Sequence, residues 1–239
     1  MPELQDFIVT RPPTALRPLL GVTILIVEDS RFACEAVRMM CMKSGARIRR
    51  ADSLTSAMKH LTIYRPGVVI VDIGLPDGSG LDLIRQLSTA RPRIEVIFGS
   101  SGDPSLEQAA MEAGADAFMP KPIPTLADFQ TAILSRLPAE RQPPGPRALD
   151  TQAIKPDPLA YQDDLSHAEQ VLTAKTPTPA ELGYVTQFLK GVAHSAADAE
   201  LVEAAAALSQ ALASDQRVDS PLSQLSALVK TRLESRPAM

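Results

Sequence analysis

The chain of 239 residues reads as an α/β protein, a five-stranded, doubly wound parallel sheet followed by an all-α C-terminal domain. Three observations predict this. Between Thr23 and Leu137, five short apolar runs alternate with segments that carry an apolar stripe at helical spacing. Short connections in such a βα rhythm imply right-handed crossovers and a parallel sheet. After a proline-rich break at 138–158, no strand pattern returns and only amphipathic helical segments follow.

Taken in order, residues 1–20 hold four prolines and no clear period, and read as an extended arm with a short apolar contact at Leu16, Leu19 and Leu20. Thr23 to Val27 is the first strand and runs into Glu28-Asp29-Ser30. Ser30 caps a helix that Gly45 stops near Ser44. Ala46 to Ala51 is a second strand, less apolar because of Arg47, Arg49 and Arg50. Ser53 caps a helix through Leu54, Ala57, Met58 and Leu61. Val68 to Asp72 is an unbroken β-branched run ending on a carboxylate, the signature of a strand buried on both faces. Leu75-Pro76-Asp77-Gly78 breaks the chain before a helix over Gly80 to Ala90. A fourth strand is expected over Ile94 to Gly99, then a helix from Pro104 to Gly114. A short fifth strand over Asp116 to Met119 meets Pro120-Lys121-Pro122, and a last helix over Thr125 to Leu137 completes the domain at 21–137.

The break at 138–158 holds six prolines and is expected to be an extended, unpacked linker. The helical module at 159–239 begins with a stripe over Leu159 to Ala174. Thr178-Pro179-Ala180-Glu181 is a capping box with proline at the first helical position. An alanine-rich helix over Asp198 to Ser214 and one starting at Ser220-Pro221 follow.

Composition narrows the function classes. Apolar residues make up 45% and charged residues 22%, an ordinary globular balance. No apolar run is long enough to cross a bilayer, and the first residues lack the apolar core of an export signal, so a cytoplasmic location is expected. Cys34 and Cys41 lie on one helical face, too far apart to pair, as expected of core thiols in a reducing compartment. Residues 1–144 are neutral, with 16 basic and 16 acidic side chains, whereas residues 145–239 carry 8 basic and 12 acidic and so the whole net charge of −4. That balance disfavours a phosphate backbone as partner.

The polar interruptions fall at strand C-termini: Glu28 and Asp29, Asp72, Ser100 and Lys121. In an open α/β sheet these ends lie along one edge, where ligands bind. Two or three carboxylates brought together there call for a cation, and an all-oxygen set suits Mg²⁺. With Lys121 as a fixed positive charge and Ser100 as a donor, the set matches what phosphoryl transfer to an Asp oxygen requires.

These residues stand in I-L-I-V-E-D-S, V-V-I-V-D-I-G-L-P-D-G-S-G, V-I-F-G-S-S and D-A-F-M-P-K-P, and over about Val22 to Leu137 the sequence resembles the receiver domain of two-component response regulators, a flavodoxin-like fold. The resemblance implies that Asp72 is the phosphoacceptor and that Glu28, Asp29, Asp72 and the Gly74 carbonyl hold Mg²⁺. It further implies that Lys121 is the family's invariant-type lysine, that Ser100 is the switch hydroxyl that contacts the phosphoryl group, with Phe118 at the aromatic switch position, and that Lys121-Pro122 is cis. The partner it implies is a sensor histidine kinase or a histidine phosphotransfer protein, and the only catalysis is the domain's own phosphorylation and dephosphorylation. Two positions depart from the pattern. Phe118 stands where many relatives have Tyr, and Gly74 stands where a larger side chain is common, beside the path of attacking water.

For residues 159–239 the expected output is a helical protein-interaction module that self-associates, giving a homodimer, or docks a partner. The alternatives are a transcriptional regulator with a divergent helical DNA-binding domain and a phosphorelay protein with an acceptor His194. His194 follows Lys190-Gly191, the reverse of the order in phosphotransfer helices. His167 in L-S-H-A-E is a second helical histidine whose plainest role is packing.

Overall fold

Five parallel strands hydrogen-bond in the order β2-β1-β3-β6-β7, where β1 is Thr23–Val27, β2 Arg47–Ala51, β3 Val68–Asp72, β6 Val96–Ser101 and β7 Ala117–Pro120. The computed structural model describes residues 12–146, 149–174, 176–214 and 217–235. Two short antiparallel strands, β4 (Gly74–Leu75) and β5 (Gly78–Ser79), form a separate hairpin after β3. The helices are α1 (Arg31–Ser44), α2 (Leu54–Ile63), α3 (Gly80–Thr89), α4 (Glu107–Glu112) and α5 (Leu126–Leu134), then α6 (Pro158–Leu172), α7 (Pro179–Ala196), α8 (Ala199–Ala213) and α9 (Asp219–Glu234).

Alternation along the central strands sends side chains into two apolar layers. Ile24, Ile26, Ile70 and Phe98 pack with Cys34, Val37 and Cys41 of α1 and with Phe129 and Ile133 of α5. Leu25, Val27, Val71 and Ile97 pack on the other face with Ala57, Ile84 and Ala110. With both faces covered, an unbroken apolar strand such as β3 is the stable choice. Both cysteines are buried and unpaired. Strand β2 lies at one edge of the sheet, so its three arginines stay in water and keep that edge from pairing with another chain.

Most boundaries follow the local signals. Ser30 Oγ accepts from Ala33 N at the start of α1, and Gly45 closes that helix in the left-handed conformation. The Thr178–Glu181 capping box starts α7. Several segments differ from the sequence reading. Strand β6 runs two residues later, through Ser100 and Ser101, because its neighbours pair with those serines: Asp72 lies opposite Ser100, and Ser101 opposite Pro120. The helix expected from Pro104 begins as a 3-10 turn and becomes α-helical only at Glu107. Between Leu75 and Gly78 the break is a tight hairpin rather than a plain loop.

The residues around the two ends of this domain also pack. Residues 1–11 of the expected arm lie outside the described residues. Leu19 is buried in the α1/α5 layer, while Leu16 is exposed and, among the described residues, stands outside that apolar cluster. Within 138–158, the Asp150 carbonyl accepts from Ala127 N, Arg141 pairs with Glu95, and Ile154 packs against the core. This proline-rich stretch is thus laid along the sheet domain rather than unpacked.

Helices α6 to α9 form a third apolar core, built on Leu165, Val185, Leu189, Leu201, Leu208 and Val229. This bundle sits on the sheet domain, with α6 and α7 against α1 and α7 reaching β4. The Asp164 carboxylate of α6 locks the seam. It is buried and accepts from Ser30 Oγ at 2.7 Å, Arg31 N at 2.9 Å and Phe32 N at 3.0 Å, so a side chain of the bundle caps α1.

Candidate functional site

Three carboxylates and one ammonium meet at the C-terminal edge of the sheet. Glu28 and Asp29 follow β1, Asp72 ends β3 and Lys121 follows β7. One oxygen each from Glu28, Asp29 and Asp72 lies within 4.8 Å of the others. Lys121 Nζ lies 3.0 Å from Asp72 Oδ1 and also pairs with Glu28 Oε2. Gly80, the first residue of α3, sets the end of β3: a Cβ there would come within 2.0 Å of the Asp72 carbonyl oxygen, so only glycine lets the helix start this close.

Full ionisation of three carboxylates against one ammonium would leave two uncompensated negative charges. Burial pushes the Glu28 carboxyl up to about 8; Lys121 opposes this, and the Asp72 and Asp29 charges reinforce it. Burial and then the Asp72 charge push Asp29 up to about 6, against a hydrogen bond from Tyr184. Burial alone would lower Lys121, but the Asp72 and Glu28 charges outweigh it and hold the ammonium proton more tightly than usual. The cluster therefore favours either a retained proton or a cation. A set of hard oxygen donors of this kind would suit Mg²⁺.

The other expected residues are placed as follows. Gly74 lines the same cavity as the carboxylates. Ser100 is buried opposite Asp72, and its hydroxyl donates to the Met119 carbonyl of β7 at 2.8 Å. Phe118 is half-buried and packs with the α3/α4 layer. Lys121-Pro122 is cis. His194 lies outside the cavity lining; its Nδ1 is 3.0 Å from the Lys190 carbonyl and its side chain lies beside Gly102. His167 sets its ring edge-on to Phe188.

Sequence reasoning missed the far wall. Glu28, Asp29, Asp72, Gly74 and Lys121 share a cavity of about 290 Å³ with Gln187 and Lys190 of α7. The Tyr184 hydroxyl donates to Asp29 Oδ2 at 2.6 Å, and Lys190 Nζ pairs with Asp103 Oδ2 at 3.0 Å. Ser101 also lines the cavity and accepts from Asp103 N at 3.1 Å. Tyr184, Gln187 and Lys190 are three apart, forming a polar stripe beside the buried Val185, Phe188, Leu189 and Val192. That stripe was the available signal, although nothing local in it says what it faces.

Comparison with known proteins bears on the first of the two units. Residues 24–133 match the family model described as the response regulator receiver domain. The chain is 31% identical over 99 residues to the KDP operon transcriptional regulatory protein KdpE of Escherichia coli (strain K12), which covers 41% of this chain and 44% of that protein. It is 29% identical over 146 residues to the response regulator MprA of Mycobacterium sp. (strain KMS), covering 60% and 63%. The chain thus spans less than two thirds of the length of these relatives. Among solved structures, the signal receiver domain of a signal transduction histidine kinase from Syntrophus aciditrophicus is 27% identical, with a TM-score of 0.42, covering 50% of this chain and 96% of that one.

Proposed function

Residues 24–133 form a response regulator receiver domain, and from that premise we propose that the chain is a phosphorylation switch. Asp72 accepts a phosphoryl group, and the helical bundle at its site reads that change out to a protein partner. The observation that carries this reading is the convergence of Glu28, Asp29, Asp72 and Lys121 from three strand ends onto one cavity.

In this reading Glu28 and Asp29, with Asp72 and the Gly74 carbonyl, hold Mg²⁺. The ion supplies charge neutralisation that lets a carboxylate and a phosphoryl group approach one another. Lys121 Nζ would hold a phosphoryl oxygen, a role supported by its distance of 3.0 Å from Asp72 Oδ1. The Asp72 carboxylate attacks phosphorus while the donor's bond breaks, leaving an acyl phosphate on Asp72. Ser100 would exchange its bond to Met119 for one to the phosphoryl group, freeing the half-buried Phe118 to move inward. The phosphodonor is a sensor histidine kinase or a histidine phosphotransfer protein.

The helical bundle touches the site through Tyr184 and Lys190, so a metal or phosphoryl group competes directly with its contacts. One relative bears the name of a transcriptional regulatory protein and another that of a response regulator. For this chain the net −4 of residues 145–239 supports a protein partner over DNA.

The test is treatment of the whole protein with a small phosphodonor and Mg²⁺. One acid-stable, base-labile phosphoryl group per chain is expected, absent without Mg²⁺ and absent in Asp72→Asn. Equal modification of Asp72→Asn would sink the assignment.

A further inference from the structure

Gln187 holds a position that the rest of α7 does not account for. Gly74 stands two residues after Asp72, and a Cβ at that position would lie 2.5 Å from Gln187 Nε2, 2.8 Å from Cδ and 3.2 Å from Cγ. The Gln187 side chain therefore occupies the space that any side chain at position 74 would need, and the missing side chain is what admits it. Gln187 and Asp72 line the same cavity of about 290 Å³, large enough for a phosphoryl group and several waters.

The other polar groups that α7 brings are committed. Tyr184 donates to Asp29, Lys190 pairs with Asp103, and Thr186 donates to the Leu182 carbonyl. The Gln187 amide makes no hydrogen bond among the described residues. Tyr184 and Lys190 flank it at three residues on either side and pin α7 to two separate loops of the sheet domain. Gln187 is thus held as an exposed residue that lines the pocket and faces Gly74.

We infer that Gln187 orients the water that hydrolyses the phosphoryl group on Asp72, making α7 a built-in phosphatase element that acts on its own receiver domain. This inference rests on the reading of Asp72 as phosphoacceptor. A neutral amide suits the task. Its carbonyl accepts from the attacking water and its N–H₂ donates to a phosphoryl oxygen, whereas a carboxylate would repel the phosphoryl group. Glutamine has this water-orienting role in GTP hydrolysis. In the step itself the water oxygen forms the new bond to phosphorus. The phosphorus–Asp72 oxygen bond breaks with its electron pair left on the carboxylate, and both water protons leave with inorganic phosphate as H₂PO₄⁻. Lys121 steadies the carboxylate as it is released.

The experiment loads the whole protein with a small phosphodonor and Mg²⁺, removes the donor and follows loss of the phosphoryl group. Gln187→Ala and the similarly bulky Gln187→Leu should each slow decay about ten-fold or more relative to their effect on loading, because the water loses its orientation. Gly74→Ala, which pushes the amide out, should do the same. Decay at the wild-type rate in Gln187→Ala and Gln187→Leu would overturn the inference. So would equal acceleration of loading and decay, which would make Gln187 only part of a cover. Absence of any Asp72-dependent loading in the wild-type protein would instead overturn the phosphoacceptor reading, and this inference with it.

Discussion

The Tyr184 hydroxyl donates to Asp29 Oδ2 at 2.6 Å and so ties the helical bundle to one of the three clustered carboxylates. Burial, and then the Asp29 charge, hold the phenol proton more tightly than usual, so Tyr184 stays a donor across the physiological range. The other Asp29 oxygen accepts from Ser30 N at 3.0 Å. Both Asp29 oxygens are therefore engaged, and a cation must share or displace one of these bonds.

Removing that competitor should favour the metal. Tyr184→Phe is expected to bind Mg²⁺ a few-fold more tightly, read by titration calorimetry, and to lose about 1 kcal/mol of stability with the hydrogen bond. Weaker binding in this variant would mean that the hydroxyl supports the metal instead.

Asp164 should hold the two units together. Its substitution by alanine leaves Arg31 N, Phe32 N and the Ser30 hydroxyl without their acceptor at a buried helix start, at a cost of about 3 kcal/mol. Hydrogen exchange in the first turn of α1 should rise, and small-angle scattering should report a larger radius of gyration. An unchanged radius and unchanged exchange would show that the seam is held elsewhere.

The Lys190–Asp103 pair gives the seam an acid limit. Hydrogen bonds from Ser105 and then Lys190 hold the Asp103 carboxyl down at about 2, below its ordinary 3.8. Across that window the folded state binds fewer protons than the unfolded one, so stability rises with pH and is lost as pH falls towards 2. The side chain is about a third exposed, and screening limits the effect to less than about 1 kcal/mol. Asp103→Asn should remove this part of the acid limb in urea denaturation at stepped pH. A limb as steep as in the wild-type protein would assign it to other carboxylates.

Gly80→Ala should disturb the site from behind. Its Cβ would meet the Asp72 backbone, which cannot yield as a flexible side chain can. Phosphodonor loading should fall at least ten-fold, with a loss of about 2 kcal/mol or more in thermal unfolding. Wild-type loading would show that the end of β3 adapts.

Much of this was legible in the chain, for identifiable reasons. The strand β3 and its terminal Asp72 declare themselves because a parallel strand covered on both faces must be an unbroken apolar run. Convergence of Glu28, Asp29 and Lys121 follows from topology alone, since strand ends share an edge. Ser100 was expected just past the end of its strand but lies within it, because hydrogen bonding by β3 and β7 carries a strand through polar residues. Tyr184, Gln187 and Lys190 stayed hidden for another reason. A helical stripe shows which side chains face the bundle core, but not what the opposite side meets. That depends on Asp164 capping α1, more than 130 residues away in the sequence. Gly74 was visible as an anomaly, but its cause, the Gln187 side chain, was not.

The most direct measurement is to trap the acyl phosphate. The whole protein is treated with a small phosphodonor and Mg²⁺, reduced with borohydride and digested, and the modified residue is located by mass spectrometry. Asp72, and no other carboxylate, should be converted to homoserine. Modification at Glu28 or Asp29, a phosphoryl group recovered on His194 before reduction, or no modification at all would contradict this expectation.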